Sequence, residues 1–201
     1  MANPRPETRS RVLRTAATLF RRQGYNGTGL NQLLSESNAP KGSLYFHFPG
    51  GKEQLAAEAV TLSAGELGAQ IREALTQETD PAVAIVTLGD LFAHPLAASG
   101  YREGCPIATV AMETSGDNEQ IRAACSDAYG EWLSGLTLRI RTWGVPQAEA
   151  APLAELVLSG IQGALLLAKV QQDCAPIHQV TARLGVIVAA AVRQEPTAEP
   201  V

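Results

Sequence analysis

The side chains best suited to chemistry lie in a short basic and aromatic segment, residues 40–48, with helix breakers at both ends. Lys41 carries a positive charge that suits a phosphate, and Tyr45 and His47 add hydrogen-bonding groups. Gly42 would let the start of a helix approach a ligand closely, where the free N–H groups of the first turn favour an anion. These properties predict a helix that lies against nucleic acid and contacts its phosphates.

The charge distribution separates the first 50 residues from the rest of the chain. Residues 1–50 carry seven basic and two acidic side chains, a net charge of +5, whereas residues 51–201 carry nine basic and 18 acidic ones, a net charge of −9. A basic head on an acidic body is typical of a head that meets a polyanion. On charge alone, a chance clustering of solvated side chains is an alternative interpretation.

Groups that could act in catalysis or redox chemistry are few and scattered. Cys105 stands at a predicted helix start, where the helix dipole could lower a thiol pKa. His94 and His178 have no visible partner, and the sequence shows no paired carboxylates, phosphate loop or metal-ligand spacing. We therefore expect no enzyme, no metal and no cofactor. A regulator that responds to oxidation through Cys105, Cys125 or Cys174 is an alternative, which the cysteine spacing allows.

Two segments bear on the cellular location. Residues 1–6 lack the apolar core of a secretion signal. The most apolar run, residues 156–168, is shorter than the roughly 20 residues that a membrane-spanning helix needs. We expect a cytoplasmic protein with no membrane partner.

Almost every segment predicts a helix, and no strand or internal repeat is visible. Thr28 is the predicted N-cap of a short second helix. Asn38 suits the left-handed conformation of a tight turn, and Pro40 suits the first turn of a third helix. Leu44 and Phe48 are predicted to face the core. Two helices joined by a tight turn form a helix-turn-helix pattern, whose second helix enters the major groove of DNA.

Six further helices are predicted after the third. A long helix covers residues 52–77, and Asp80 caps the start of the next, which ends near residue 96. The remaining helices are predicted at residues 106–113, from about 117 to 143 with Asp117 as its cap, at residues 147–172 and at residues 176–193.

Residues 8–60 resemble the N-terminal domain of TetR/AcrR-family transcriptional regulators. The resemblance rests on Pro-Lys-Gly-Ser-Leu-Tyr-Phe-His-Phe at 40–48 and Gly-Gly-Lys-Glu-Gln-Leu at 50–55. The same runs, with Gly-Cys-Pro-Ile-Ala at 104–108 and Gly-Ile-Gln-Gly-Ala at 160–164, are similar to the LmrA/YxaF-like branch. The resemblance implies an all-α fold, with an N-terminal three-helix helix-turn-helix DNA-binding domain joined to a C-terminal helical ligand-binding and dimerisation domain.

By position, the resemblance also implies seven DNA-contacting residues. Gly42 and Ser43 match positions near base edges, and most of the others match phosphate contacts. The set is Thr28, Lys41, Gly42, Ser43, Tyr45, His47 and Lys52. Phe46 departs from the pattern, because His or Tyr is more usual there, and its presence removes one polar contact.

The segment 156–168 is apolar on nearly every side and carries several small residues. Such a helix must be buried all round, which in a small body indicates a subunit interface as well as a core. With the helix at 176–193 of both subunits it could form a four-helix bundle, although a central helix of a monomer is an alternative. The predicted interface residues are Leu156, Ser159, Gly160, Gly163, Ala164, Leu184 and Val188.

The predicted effector site combines apolar groups of the body with a few polar anchors. The apolar candidates are Phe92, Cys105, Met112, Trp132, Leu136 and Leu166, and the polar ones are Tyr101, Glu113 and Gln162. Ordinary core packing is the alternative for each of them. The scarcity of basic residues in the body argues against a strongly anionic effector, so an apolar or aromatic one is expected.

Together these features predict a ligand-responsive transcriptional regulator. As a repressor it would bind a palindromic DNA operator as a homodimer and be released by a small apolar or aromatic effector. The DNA-binding domain is expected at residues 1–51, the ligand-binding and dimerisation domain at residues 52–194, and a disordered tail at residues 195–201. A thiol-based redox-sensing regulator and a small-molecule enzyme are the alternatives.

Overall fold

The computed structural model describes residues 4–114 and 116–192, and within them it contains nine α-helices and no strand. This confirms the all-α prediction. The expected tail at residues 195–201 lies outside the described residues. The helices are α1 (Pro4–Gln23), α2 (Leu30–Glu36), α3 (Ser43–His47), α4 (Gly51–Gln77), α5 (Pro81–Ala98), α6 (Ala108–Thr114), α7 (Glu119–Thr142), α8 (Gln147–Gln171) and α9 (Ala175–Val192).

The observed helix caps confirm one sequence prediction and correct another. The Asp80 side chain accepts a hydrogen bond from the Ala82 N–H at 2.7 Å, as expected for the cap of α5. Helix α7 is capped by Asn118, whose Oδ1 accepts from the Ile121 N–H at 2.9 Å, and not by Asp117. Both side chains can cap a helix, so only the backbone path decides which of the two does so.

Two compact units divide the chain. The first contains Met1–Leu67 and Arg102–Tyr129, and the second contains Gly68–Tyr101 and Gly130–Val201. This division differs from the expected boundary between residues 51 and 52, because α6 packs against α1 within the first unit. Helices α4 and α7 each contribute residues to both units.

The core of the first unit is made by the apolar faces of its short N-terminal helices and the start of α4. Phe20 of α1, Leu33 of α2 and Leu44 of α3 are almost completely buried, as is Leu55 of α4. Burial of such side chains is the main favourable term in folding. The same contacts fix the outward face of α3, which carries the candidate DNA-binding groups.

The second unit is built around α5, α8 and α9, which pack against one another. Glycines allow close packing of α5 against α9. A Cβ added to Gly89 would lie 2.6 Å from the Thr181 side chain, and one added to Gly185 would lie 2.8 Å from the Ala82 carbonyl oxygen. Larger side chains at these two positions would force the helices apart.

Helices α5, α8 and α9 are each long and apolar enough to cross a membrane, judged by length and composition only. This corrects the expectation drawn from residues 156–168. That run is only part of α8, whose 25 residues also include the alanine-rich turns that precede it. The length of the most apolar run therefore does not exclude a span.

Candidate nucleic-acid interface and effector pocket

The turn between α2 and α3 has the hydrogen-bond pattern of a Schellman motif. The Ala39 N–H bonds to the Leu34 carbonyl at 3.0 Å, and the Asn38 N–H bonds to the Ser35 carbonyl at 3.1 Å. Asn38 adopts a left-handed conformation with φ of 48°, as its residue type predicted. The motif ends α2 sharply and sets the direction in which α3 begins.

Helix α3 is anchored by two buried side chains and presents two exposed aromatic ones. Leu44 is 1% exposed and Phe48 is fully buried, which confirms their predicted inward orientation. Tyr45 is 62% exposed and Phe46 is 65% exposed. Large aromatic groups left in water on a well-anchored helix are typical of a surface that binds a partner.

The groups at the start of α3 leave an open approach. Lys41 and Gly42 are exposed, and a Cβ added to Gly42 would meet nothing within 4 Å. With φ of −83°, Gly42 adopts a conformation open to any residue, so its own chain does not require glycine there. The Ser43 hydroxyl donates to the Pro40 carbonyl at 2.7 Å, and the half-exposed His47 ring lies edge-on to Phe46 at 5.0 Å.

Thr28 does not have the predicted role. It is fully buried, and its hydroxyl donates to the Gly24 carbonyl at 2.7 Å, while Gly29 is the N-cap of α2. A buried hydroxyl that is already bonded cannot reach a phosphate through its side chain. Thr28 instead holds the loop between α1 and α2.

Lys52 has a partner within its own unit. Its ammonium group lies 4.2 Å from the centre of the Tyr25 ring, a cation–π contact. Burial lowers the pKa of Lys52, and the Glu113 carboxylate partly opposes that shift. Burial, with a contribution from Glu53, raises the pKa of Tyr25. The Lys52 side chain is half-buried.

Three of the seven basic side chains of residues 1–50 are paired with carboxylates within the first unit. Arg9 pairs with Glu58 at 2.5 Å, Arg14 with Glu66 at 3.1 Å, and Arg21 with Glu103 at 2.8 Å. Counted over the whole first unit, ten basic side chains face ten acidic ones, so the net charge is zero. The candidate DNA-binding surface is therefore indicated by the side chains at α3 and not by the net charge of the unit.

The effector candidates fall in both units. Phe92, Tyr101, Trp132, Leu136, Gln162 and Leu166 belong to the second unit, and Cys105, Met112 and Glu113 belong to the first. The structure brings Phe92 and Trp132 together as a buried edge-on pair with ring centres 6.2 Å apart. Leu136 is also buried, and the buried amide nitrogen of Gln162 has no hydrogen-bond partner among the described residues.

Three of the effector candidates, Met112, Leu166 and Glu113, do not line a pocket. Met112 is 80% exposed and Leu166 is 55% exposed, so neither lines an enclosed cavity. Glu113 accepts a hydrogen bond from the Asn26 N–H at 2.7 Å, which ties α6 to the loop after α1. The sequence could not show this contact, because its two residues are 87 positions apart.

The surroundings of Cys125 oppose its activation. Cys105 and Cys125 are buried, and the Cys105 sulfur lies 3.9 Å from the Tyr129 hydroxyl. Burial, with a smaller contribution from Cys105, raises the pKa of Cys125 to about 11. Burial raises the pKa of Tyr129, with further contributions from its hydrogen-bonded neighbour Cys105 and from Cys125. Because the thiolate is the reactive form, the surroundings of Cys125 oppose the redox alternative.

Tyr101 and Cys174 lie side by side in the second unit. The pKa of Tyr101 is raised by desolvation and by Cys174, to which it is hydrogen-bonded. The Cys174 thiol donates to the Ala93 carbonyl at 3.5 Å. Among the described residues, no three His, Cys, Asp or Glu side chains are grouped to hold a metal ion.

The predicted dimer residues divide between two faces of α8 and α9. Leu156, Ser159 and Gly163 are exposed on one side of α8. The others face their own chain: Ala164, Leu184 and Val188 are buried, and a Cβ on Gly160 would lie 2.9 Å from the Leu184 side chain. The interpretation of these four as interface residues is therefore corrected, because Gly160 meets Leu184 between α8 and α9 of the same chain, and Ala164 and Val188 are already buried within that chain.

A cleft that sequence reasoning missed lies in the second unit between the C-terminal parts of α4 and α7. Its volume is about 270 Å³. The lining residues are Gly68, Ile71, Arg72, Leu75, Thr76, Glu131, Trp132, Gly135, Leu138, Arg139 and Thr142. Only Trp132 was among the candidates. The i, i+3, i+4 spacing on both helices was a visible signal, but such spacing usually marks a core.

Comparisons with known proteins agree with this architecture. Residues 12–59 match the bacterial regulatory proteins of the tetR family, and residues 81–183 match the C-terminal domain of LmrA/YxaF-like transcriptional regulators. The chain is 38% identical to the HTH-type transcriptional regulator LmrA of Bacillus subtilis (strain 168), over 87% of this chain and 93% of that protein.

Two further relatives extend the similarity. The chain is 34% identical to the uncharacterized HTH-type transcriptional regulator YxaF of the same organism, over 92% of this chain and 96% of that protein. A TetR transcriptional regulator from Chloroflexus aurantiacus J-10-FL has a crystal structure that matches with a TM-score of 0.78 and 27% identity, over 92% of this chain and 96% of that one. The chain therefore belongs to the TetR family of transcriptional regulators, with an LmrA/YxaF-like C-terminal domain, and is a DNA-binding regulator and not an enzyme.

Proposed function

We propose that this chain is a repressor that binds a near-palindromic operator as a homodimer and leaves it when a small aromatic effector binds. The observation that carries the proposal is the outer surface of α3. Leu44 and Phe48 hold that helix to the core, while Lys41, Tyr45 and Phe46 are exposed to solvent. Such an arrangement suits insertion into a major groove.

The DNA contacts proposed on this basis are Lys41, Gly42, Ser43, Tyr45, His47 and Lys52. Lys41 would pair with a phosphate, and the open space beside Gly42 would let the backbone approach the DNA. Tyr45 and His47 would donate hydrogen bonds to the backbone or to base edges. Phe46 offers an apolar surface, which suits the methyl group of a thymine.

Selection from a randomised duplex library tests this proposal. We expect enriched sequences that are near-palindromic, with half-sites about one helical turn apart, because a two-fold dimer repeats its contacts with that spacing. Tyr45→Ala should lower affinity for the selected site. A library that yields no enriched sequence, with well-folded protein, would contradict operator binding.

The proposed dimer surface is the exposed apolar stripe of α8 with the facing part of α9. It consists of Leu156, Ser159, Gly163, Leu166, Leu167 and Val170 on α8 and of Val186, Ile187 and Ala190 on α9, all of them exposed. A contiguous apolar stripe of this kind is rare on a free surface. Ser159 and Gly163 keep its centre flat, which would let a partner helix approach closely.

Sedimentation analysis of three proteins tests the dimer. The wild type should sediment as a dimer, and Val170→Glu should shift it towards monomer, because the carboxylate would be buried without a partner. Ala97→Glu, at an exposed position of α5, is the matched control and should leave the dimer intact. A monomeric wild type at micromolar concentration would refute the proposed interface.

Effector control would act through the helices that both units share. Helix α4 supplies Gly51–Leu67 to the first unit and the rest of its length to the second. An effector that binds one state better must by linkage bind less tightly when DNA is present. A tenfold loss of DNA affinity needs only about 1.4 kcal/mol of such preference.

In this proposal, residues 1–51 bind DNA, and residues 52–194 bind the effector and form the dimer. Action on an operator places the protein in the cytoplasm. Buried Cys105 and the raised pKa of Cys125 disfavour oxidation as the signal. Peroxide should therefore leave DNA binding unchanged, whereas an effector should abolish it.

A further inference from the structure

The cleft between α4 and α7 has a defined direction. Gly68 lies against Trp132, and nearer the end of both helices Arg139 Nη2 donates to the Glu78 carbonyl at 2.6 Å. The earlier residue on the α4 side therefore meets the earlier residue on α7, and the later residue meets the later one. The two helices thus run in the same direction along the cleft. Between Trp132 and Arg139 the helix rises by roughly 10 Å, which is about the length of a fused two-ring compound.

The apolar part of the cleft suits a flat ring. Ile71, Leu75 and Trp132 contribute side chains that are each at least 95% buried and so are held in place by packing. Ligand pockets are lined mainly by such apolar and aromatic groups, with a few polar groups that fix the orientation. At about 270 Å³, the cleft suits a small ligand of one or two rings.

The polar groups of the cleft give it a net positive charge. Arg72 of α4 and Arg139 of α7 line it, against a single carboxylate, that of Glu131. The point that a Cβ on Gly68 would occupy is 3.5 Å from Arg72 Nη1 and 2.9 Å from Trp132 Nε1, so the guanidinium group lies beside the indole edge. Glycine at position 68 makes room for this arrangement.

Arg139 supplies a second observation that points to a ligand. Its Nη2 donates to the Glu78 carbonyl, its Nη1 donates to the Thr142 hydroxyl at 3.4 Å, and the guanidinium group lies 5.0 Å from the centre of the Trp143 ring. Its Nε, in contrast, is buried and has no hydrogen-bond acceptor among the described residues. Buried N–H groups are rarely left without an acceptor, so one is expected from outside the chain. Guanidinium groups bind carboxylates with particularly good geometry.

We propose that this cleft binds an aromatic carboxylate, with its ring on Ile71, Leu75 and Trp132 and its acidic group paired with the guanidinium groups of the wall. The inference rests on the proposed function only for the consequence of binding, which is release of DNA. It adds a negative charge to the expected apolar or aromatic effector, because the scarcity of basic residues in the whole body does not describe the charge within this cleft.

Calorimetric titration of the full chain without DNA tests the site directly. The probes are 2-naphthoate and its neutral counterpart 2-naphthamide. We expect the wild type to bind the carboxylate about tenfold more tightly than the amide, which is typical of a hydrogen bond to a charged group. Arg72→Gln should remove this preference by weakening the carboxylate alone, while Glu131→Gln should strengthen carboxylate binding by removing a like charge.

Arg141→Gln is the matched control, since Arg141 lies on α7 but does not line the cleft. It should leave both affinities unchanged. Equal affinity for the two probes in the wild type, or an unchanged preference in Arg72→Gln, would overturn the inference.

A separate titration of operator release distinguishes the site from the function. If naphthoate binds through Arg72 but leaves the operator bound, the site is supported and its role in release is refuted. If uncharged aromatic compounds release the operator and neither naphthoate nor naphthamide binds, the carboxylate site is overturned while the proposed function stands.

Discussion

Arg11 of α1 donates a hydrogen bond from its Nε to the carbonyl oxygen of Ser37 at 2.6 Å, although the two residues are 26 positions apart. A weaker bond at 3.4 Å joins the same guanidinium group to the Asn38 carbonyl. These carbonyls lie at the end of α2, where no intrahelical donor remains for them. Arg11 therefore braces the turn that orients α3, although its charge alone would have assigned it to a phosphate.

We expect Arg11→Ala and Lys41→Ala to weaken DNA binding in different ways. Lys41→Ala should lower affinity for all sequences alike and flatten the salt dependence by about one unit of slope, because a phosphate contact is lost. Arg11→Ala should cost about 1 kcal/mol of folding stability and leave the salt slope nearly unchanged. Mobility-shift titrations at several salt concentrations, with urea unfolding beside them, measure both. An unchanged slope for Lys41→Ala would refute its phosphate contact.

Asn38 tests the left-handed turn. Asn38→Ala should lower the free energy of unfolding by about 1 kcal/mol, because a Cβ without a compensating polar group is disfavoured at φ of 48°. Asn38→Gly should be close to neutral, since glycine tolerates this conformation without strain. Urea unfolding measures the effect, with Ser35→Ala, at an exposed position of α2, as the control. A neutral Asn38→Ala would show that the turn is not strained.

Two glycines of α4 should respond to alanine with opposite signs. A Cβ on Gly68 would lie 2.9 Å from Trp132 Nε1, so Gly68→Ala should cost about 1–3 kcal/mol and shift the indole fluorescence. Gly65 has open space around it, so Gly65→Ala should raise the free energy of unfolding by about 0.5–1 kcal/mol. Equal effects of both substitutions would mean that the close contact at Gly68 relaxes without cost.

The raised pKa of Cys125 predicts both slow labelling and a pH-dependent stability. With its pKa moved from 9.0 to about 11, the thiolate fraction at pH 8 falls about a hundredfold, so iodoacetamide should modify Cys125 far more slowly than half-buried Cys174. Between these two values the folded chain keeps a proton that the unfolded chain releases. The free energy of unfolding should therefore fall as the pH rises through this window, and less so in Cys125→Ala.

Mass spectrometry of labelled peptides and urea unfolding at several pH values measure these two effects. Modification of Cys125 at pH 8 as fast as that of Cys174 would contradict the buried, protonated thiol and revive the redox alternative.

Glu113 should matter for stability rather than for effector binding. Glu113→Ala removes the acceptor of the Asn26 N–H and should lower the free energy of unfolding by about 1 kcal/mol. Its neighbour Met112 is 80% exposed, so Met112→Ala should change stability little. If Glu113→Ala instead leaves stability unchanged and weakens effector binding, the original interpretation of Glu113 as a pocket anchor is restored.

Local features of the chain could be interpreted correctly because they depend on neighbours close in sequence. The left-handed turn at Asn38, the cap at Asp80 and the inward positions of Leu44 and Phe48 all follow from helical spacing and residue type. The cap of α7 was misplaced by one residue, because adjacent Asp and Asn side chains have similar capping preferences.

The sequence by itself thus determined the helices, the helix-turn-helix pattern and the family, since these depend on periodicity, turn residues and short motifs. Only the tertiary structure decided which arginine side chains are paired with carboxylates and where a cleft forms. Arg9 and Arg14 find carboxylates 49 and 52 positions away, and Arg72 and Arg139 line one cleft from two different helices. Such pairings depend on how helices pack, so no local pattern in the chain specifies them.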